Sequence, residues 1–162
     1  EEMENHGTVF AERWKVLEER IEAMQACWTQ DDSEYHGKYV DFDPIWSWPK
    51  PVQKPHPPIV MGAASPWGRE RVARYCDGWV PLPDQMQNIE TDLADLHQRL
   101  KNHGRKPEDI EISFFWAPQD ADELKRYADL GVHRAILGCP AMSDSETLAV
   151  LDQHAALMAQ VG

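Results

Sequence analysis

The residues best suited to chemistry sit in one short turn, Met61-Gly62-Ala63-Ala64-Ser65-Pro66, between a strand-like and a helix-like segment. Small side chains there let the backbone approach a ligand closely. A helix that opens at Ser65 and Pro66 presents N–H groups without intrahelical partners, together with the positive end of its dipole. Such a terminus suits a phosphate. An ordinary strand-to-helix turn has the same composition, so both readings stand at this point. Arg69 and Arg71, in the first turns of the helix, could assist an anion, but solvated surface positions are the expectation for both. Trp79, Trp116 and Cys139 fall near the ends of successive strand-like segments and could line a pocket mouth. Core packing is the expectation for each, because aromatics and free thiols are commonly buried.

Other constellations carry less. The seven histidines include no H-E-x-x-H or similar ligand spacing, so no metal site is expected. Ser65, His133 and Asp77 compose a triad only on paper, since no G-x-S-x-G turn supports them. Cys27, Cys76 and Cys139 are odd in number and widely spaced, which argues against a disulfide framework or a redox pair and for buried free thiols. Glu18, Glu19 and Glu22 read as a solvated helical face. A net charge of −12 repels phosphate backbones and anionic lipid, so neither nucleic acid nor membrane is an expected partner. No apolar run approaches the roughly 20 residues that span a bilayer, and the first residues are too polar for a secretory signal, which makes a cytoplasmic protein the default expectation.

The elements that must position the turn are legible from periodicity. Phe10, Trp14, Leu17, Ile21, Met24 and Trp28 recur at spacings of three and four, predicting an amphipathic helix over 8–28. Residues 29–58 hold six of the twelve prolines, with Trp46 and Trp48 interleaved, and read as an irregular strap docked by those indoles. From 59 onward strand-like and helix-like segments alternate four times, which implies a parallel sheet in an α/β fold. Ser65 before Pro66, Asp120 with Glu123 and Ser143 with Glu146 have helix-start spacing, while Gly104 and Gly131 read as left-handed caps. No linker composition divides the chain, so one domain over 1–162 is expected. Periodicity does not choose between a small doubly wound sheet and half of an eight-stranded barrel.

Three stretches do favour one of them. Tyr35-His36-Gly37, then Lys50-Pro51-Val52-Gln53-Lys54-Pro55-His56-Pro57-Pro58-Ile59, then Ala73-Arg74-Tyr75-Cys76-Asp77-Gly78-Trp79 together resemble the luciferase-like monooxygenases, a family of flavin- or deazaflavin-dependent oxidoreductases. The resemblance runs from about Trp14 to Met158 and corresponds to the C-terminal half of that family only. It implies half of a TIM-type (βα)8 barrel whose fifth to eighth strands begin near Ile59, Gly78, Ile112 and Arg134. The sequence, which begins at Glu1 without a methionine, then reads as though cut from something longer. In the family the turn is usually Gly-Gly and contacts the cofactor phosphate; here Ala63 stands second. The implied cofactor contacts are therefore Gly62, Ala63, Ala64, Ser65 and Trp79, with FMN or coenzyme F-420 undecided and the catalytic residues unknown. A half-barrel leaves two open edges and an uncovered inner face, so a homodimer that completes the barrel is expected. The alternative is a non-catalytic half-barrel module that self-associates without cofactor.

Overall fold

The computed structural model describes residues 1–161. The chain divides into two compact units, Glu1–Pro57 and Pro58–Gly162. The division falls where the proline-rich stretch ends.

In the first unit a single turn of helix, α1 (Glu2–Asn5), and a 3-10 turn at Phe10–Glu12 precede α2 (Arg13–Thr29). The helix expected over 8–28 therefore starts later, at Arg13. The strap expected over 29–58 is corrected more substantially, because β1 (Asp32–His36) and β2 (Asp41–Trp46) pair in an antiparallel hairpin. Pro44 does not prevent this, since a two-stranded ribbon leaves one side of each strand without a ladder partner. The hairpin turn is fastened to α2 by Glu19, whose carboxylate accepts the N–H groups of Lys38 at 3.1 Å, Tyr39 at 2.6 Å and Val40 at 3.1 Å. A Cβ on Gly37 would lie 2.4 Å from Glu19 Oε2 and 2.6 Å from Tyr35 Cε1, so a larger residue here would displace those two side chains. Glu19 is thus a structural clamp and not merely a solvated charge. Trp46 is 83% exposed and Trp48 61%.

In the second unit four strands, β3 (Val60–Met61), β4 (Gly78–Trp79), β5 (Glu111–Ala117) and β6 (Arg134–Leu137), form a parallel sheet in that order. Each is followed by a helix: α3 (Pro66–Tyr75), α4 (Ile89–Asn102), α5 (Ala121–Asp129) and α6 (Asp144–Val161). The capping residues act as their types dictate. Ser65 accepts the Gly68 N–H, Asp120 accepts those of Asp122 and Glu123, and Gly104 and Gly131 take φ of 70° and 85°. Register decides the two faces. Met61, Trp79 and Ile112 are cross-strand neighbours on the helix-covered side, where they join Val72, Leu96, Leu100, Phe114 and Tyr127 in one core. Fully buried side chains such as Leu96 and Leu100 contribute roughly 1.5–3 kcal/mol each. On the opposite face Val60 and Phe115 stay open to solvent.

Candidate functional site

All four strands point the same way, so their C-terminal ends lie along one rim of the sheet. The turn Gly62–Ser65 leaves that rim from β3. Neither Gly62 nor Ala63 takes a positive φ, so Ala63 in the second position imposes no backbone strain. A Cβ on Gly62 would sit 3.0 Å from Val80 O, which accounts for glycine at the first.

Two side chains hold the turn from beneath. Trp79, fully buried, donates its indole N–H to Ala63 O at 2.9 Å. Arg69, 5% exposed, donates to Ala64 O at 2.7 Å. The solvated position expected of Arg69 is thereby corrected: it also meets Asp92 at 2.9 Å and Asp95 at 2.6 Å. Both acids lie on α4, and no local motif marks them as facing α3. Arg99 continues the network to Asp95 at 2.9 Å and Glu70 at 2.6 Å, and His103 meets Glu70 at 2.8 Å. Burial works to raise the Asp95 pKa, and the bonds from Arg99 and Arg69 outweigh it, leaving the carboxyl below its usual range. The bond from His103, then that from Arg99, lowers Glu70 likewise. Arg69 is consequently neutralised by its neighbours and is no free cation for a ligand.

The start of α3 is closely packed against the turn. A Cβ on Gly68 would lie 2.4 Å from Ala63 Cβ and 3.0 Å from Ala63 O, so glycine lets the helix terminus reach it. Pro66 brings no N–H, and the Gly68 N–H is taken by Ser65 Oγ at 3.1 Å. The donors this leaves for an anion are the Ser65 hydroxyl hydrogen and the Trp67 N–H. Ala63, Ala64, Ser65 and Pro66 line a cleft of about 470 Å³ with Arg69, Gln85, Gln87 and Asp92. Gln85 and Gln87 join the cleft without belonging to any motif. A signal does exist, because they lie in the segment that connects β4 to α4 and so leaves the sheet at the same rim. The arrangement joins backbone, hydroxyl and amide donors at a helix terminus, with the Asp92 carboxylate held by Arg69.

The remaining candidates are dispersed. Trp79 has no exposed surface, so it reaches the cleft only through Ala63. Trp116 is 53% exposed, and Cys139 is exposed as well, correcting the core packing expected of both. Cys76 is buried as expected, and burial pushes its thiol up to about 12. Among the described residues no three His, Cys, Asp or Glu side chains gather as a metal site, and no helix is long and apolar enough to cross a membrane.

A model of the family described as luciferase-like monooxygenase matches residues 1–159. The chain belongs to this family. Uncharacterized protein Rv0953c of Mycobacterium tuberculosis is 36% identical over 165 residues, covering 98% of this chain and 56% of that protein. An FMNH(2)-dependent dimethylsulfone monooxygenase of Pseudomonas putida is 30% identical over 71% of this chain and 31% of its own length. The chain thus spans about half, or less, of the length of these relatives. Among solved structures, monooxygenase RslO1 from Streptomyces bottropensis superposes with a TM-score of 0.75 at 18% identity, over 96% of this chain and 63% of that one. A coenzyme F420 dependent tetrahydromethanopterin reductase from Methanopyrus kandleri gives 0.54, also at 18% identity, over 86% and 39%. At these identities the structures speak to fold alone: parallel strands and helices of the luciferase-like barrel kind.

Proposed function

We propose that this chain is the cofactor-phosphate side of a luciferase-like oxidoreductase or monooxygenase that uses a reduced flavin or deazaflavin. The observation that carries the reading is the convergence of Ser65, Gln85 and Gln87 on one cleft at the strand C-terminal rim, where Arg69 neutralises the Asp92 carboxylate, in a chain of this family. Rims of this kind form the active face of strand-helix barrels. When bound, the reduced ring would supply the electrons for oxygen activation or hydride transfer. This chain's part is to grip the phosphate through Gly62, Ala63, Ala64 and Ser65, with Trp79 and Arg69 fixing the carbonyls of the turn. FMN and coenzyme F-420 both carry a phosphate, and nothing in the cleft selects between them. Catalytic groups would come from strands this chain does not contain.

The open face supports a half-barrel that needs closing. Val60 and Phe115 are exposed on it, and on the helix-covered side the edge strand β6 bounds a largely apolar cleft of about 660 Å³ with α5 and α6, lined in part by exposed Leu151 and Met158. The same feature favours a second reading, in which two copies close the barrel as a homodimer without cofactor. Titration with FMN and with coenzyme F-420, alongside light scattering, separates them. Saturable binding of either below about 100 μM supports the cofactor reading; a dimer that binds neither supports the module.

A further inference from the structure

Trp116 stands in a conformation that its side chain does not favour. Its φ is 58°, the only positive value at a non-glycine among the described residues. For a bulky side chain the left-handed region is an outlier, and such outliers concentrate where a ligand is held. The cause is local: the pairing of β5 with β6 shifts register between Phe115 and Ala117, so Trp116 is the extra residue of a bulge. Bulges re-aim a side chain, and they are over-represented beside active sites. Here the indole is turned onto Gly138, just after β6. A Cβ at that glycine would fall 2.5–2.7 Å from Cε2, Cδ2 and Cζ2 of the indole, so one face of the ring lies flat on bare backbone. The residue remains 53% exposed, with Phe115, itself 42% exposed, tilted beside it at 6.2 Å between centroids.

Core packing does not explain an indole that is mostly exposed, strained, and seated on a glycine. We infer that Trp116 is a stacking platform for the planar ring of the cofactor, a role that rests on the phosphate assignment above. Position supports it. Trp116 and the turn lie on the same rim, with β4 alone between β3 and β5, so two strand spacings put them about 10 Å apart. A ribityl phosphate arm has seven bonds between ring and phosphorus. At the ~1.2 Å advance per bond of an extended chain it spans roughly 8 Å. A phosphate at Ser65 therefore delivers the ring to the neighbourhood of Trp116 and leaves the indole's open face to receive it. Indole faces bind conjugated rings without needing a particular edge pattern, which suits either ring system.

The test is emission of bound flavin in the intact protein, because an indole in contact quenches it. Three proteins are compared with FMN and with riboflavin, which has the ring and arm without the phosphate. They are the parent, Trp116→Asn, which tolerates the left-handed backbone, and Gly138→Ala, which keeps the indole and displaces it. The parent should quench both ligands; both variants should restore emission several-fold and weaken riboflavin binding about tenfold. Ser65→Ala serves as the separate control on the phosphate. If it leaves FMN and riboflavin equally bound while Trp116→Asn still restores emission, the platform stands and the phosphate assignment falls. Quenching and riboflavin affinity unchanged across the parent and both Trp116 and Gly138 variants overturn the platform. So does a parent protein that binds neither ligand.

Discussion

Replacing Arg69 tests how the turn is held. Arg69 is 5% exposed, and its guanidinium links Asp92, Asp95 and the Ala64 carbonyl. Removing one member of a buried ion pair leaves the other charged and desolvated, at a cost of about 3–5 kcal/mol. Asp95 retains Arg99 at 2.9 Å, so the larger share falls on Asp92, whose side chain is 9% exposed. With a urea slope near 2 kcal/mol/M, Arg69→Ala should lower the unfolding midpoint by about 2 M. Arg69→Lys should recover only part, because a single ammonium cannot reproduce the fork that meets both acids. Arg69→Met combined with Asp92→Leu should be far milder than Arg69→Met alone, since replacing both charges by apolar groups removes the uncompensated one. A midpoint shift under about 0.5 M for Arg69→Ala would refute the buried network and return Arg69 to the surface role its sequence position suggested.

Further outcomes follow from the same geometry. Gly68→Ala should destabilise by about 1–2 kcal/mol despite the helix propensity it gains, because its Cβ meets Ala63 Cβ at 2.4 Å; Ala63→Gly in the same chain should recover part of the loss in thermal melts. Asp95 and Glu70 have folded pKa values below their ordinary 3.8 and 4.5, so the stability they contribute is complete above those values and is lost as pH falls through the lower, folded ones. Urea midpoints should therefore drop below about pH 4, and Arg99→Met should flatten that decline. Cys76, with a thiol pushed up to about 12, should resist alkylation in the native state at pH 8, while exposed Cys139 reacts; mass-mapped labelling shows which. Trp116→Asn should cost little stability, or none, since it relieves an unfavourable φ at a residue that buries less than half its surface.

The strand-helix alternation was legible because local periodicity and capping agree: Ser65, Asp120, Gly104 and Gly131 act as their types predict. The family was legible from the proline-rich entry and the segment ending Asp77-Gly78-Trp79. What escaped is long-range. The hairpin was hidden because its turn is fastened by Glu19, some twenty residues earlier, and because Pro44 looked like a breaker. Arg69 seemed a surface residue until Asp92 and Asp95, on another helix, were brought to it. Trp116 looked like core because nothing local announces a bulge whose indole rests on Gly138, in the next strand-helix unit.

The phosphate-side assignment is tested most directly by the affinity difference between a phosphorylated cofactor and the phosphate-free ribityl form of the same ring, measured on the intact protein by equilibrium titration. FMN over riboflavin, or coenzyme F-420 over its dephosphorylated form, should bind at least tenfold tighter, and Ser65→Ala should erase most of that advantage. Equal affinity for the two forms, undisturbed by Ser65→Ala, would contradict it.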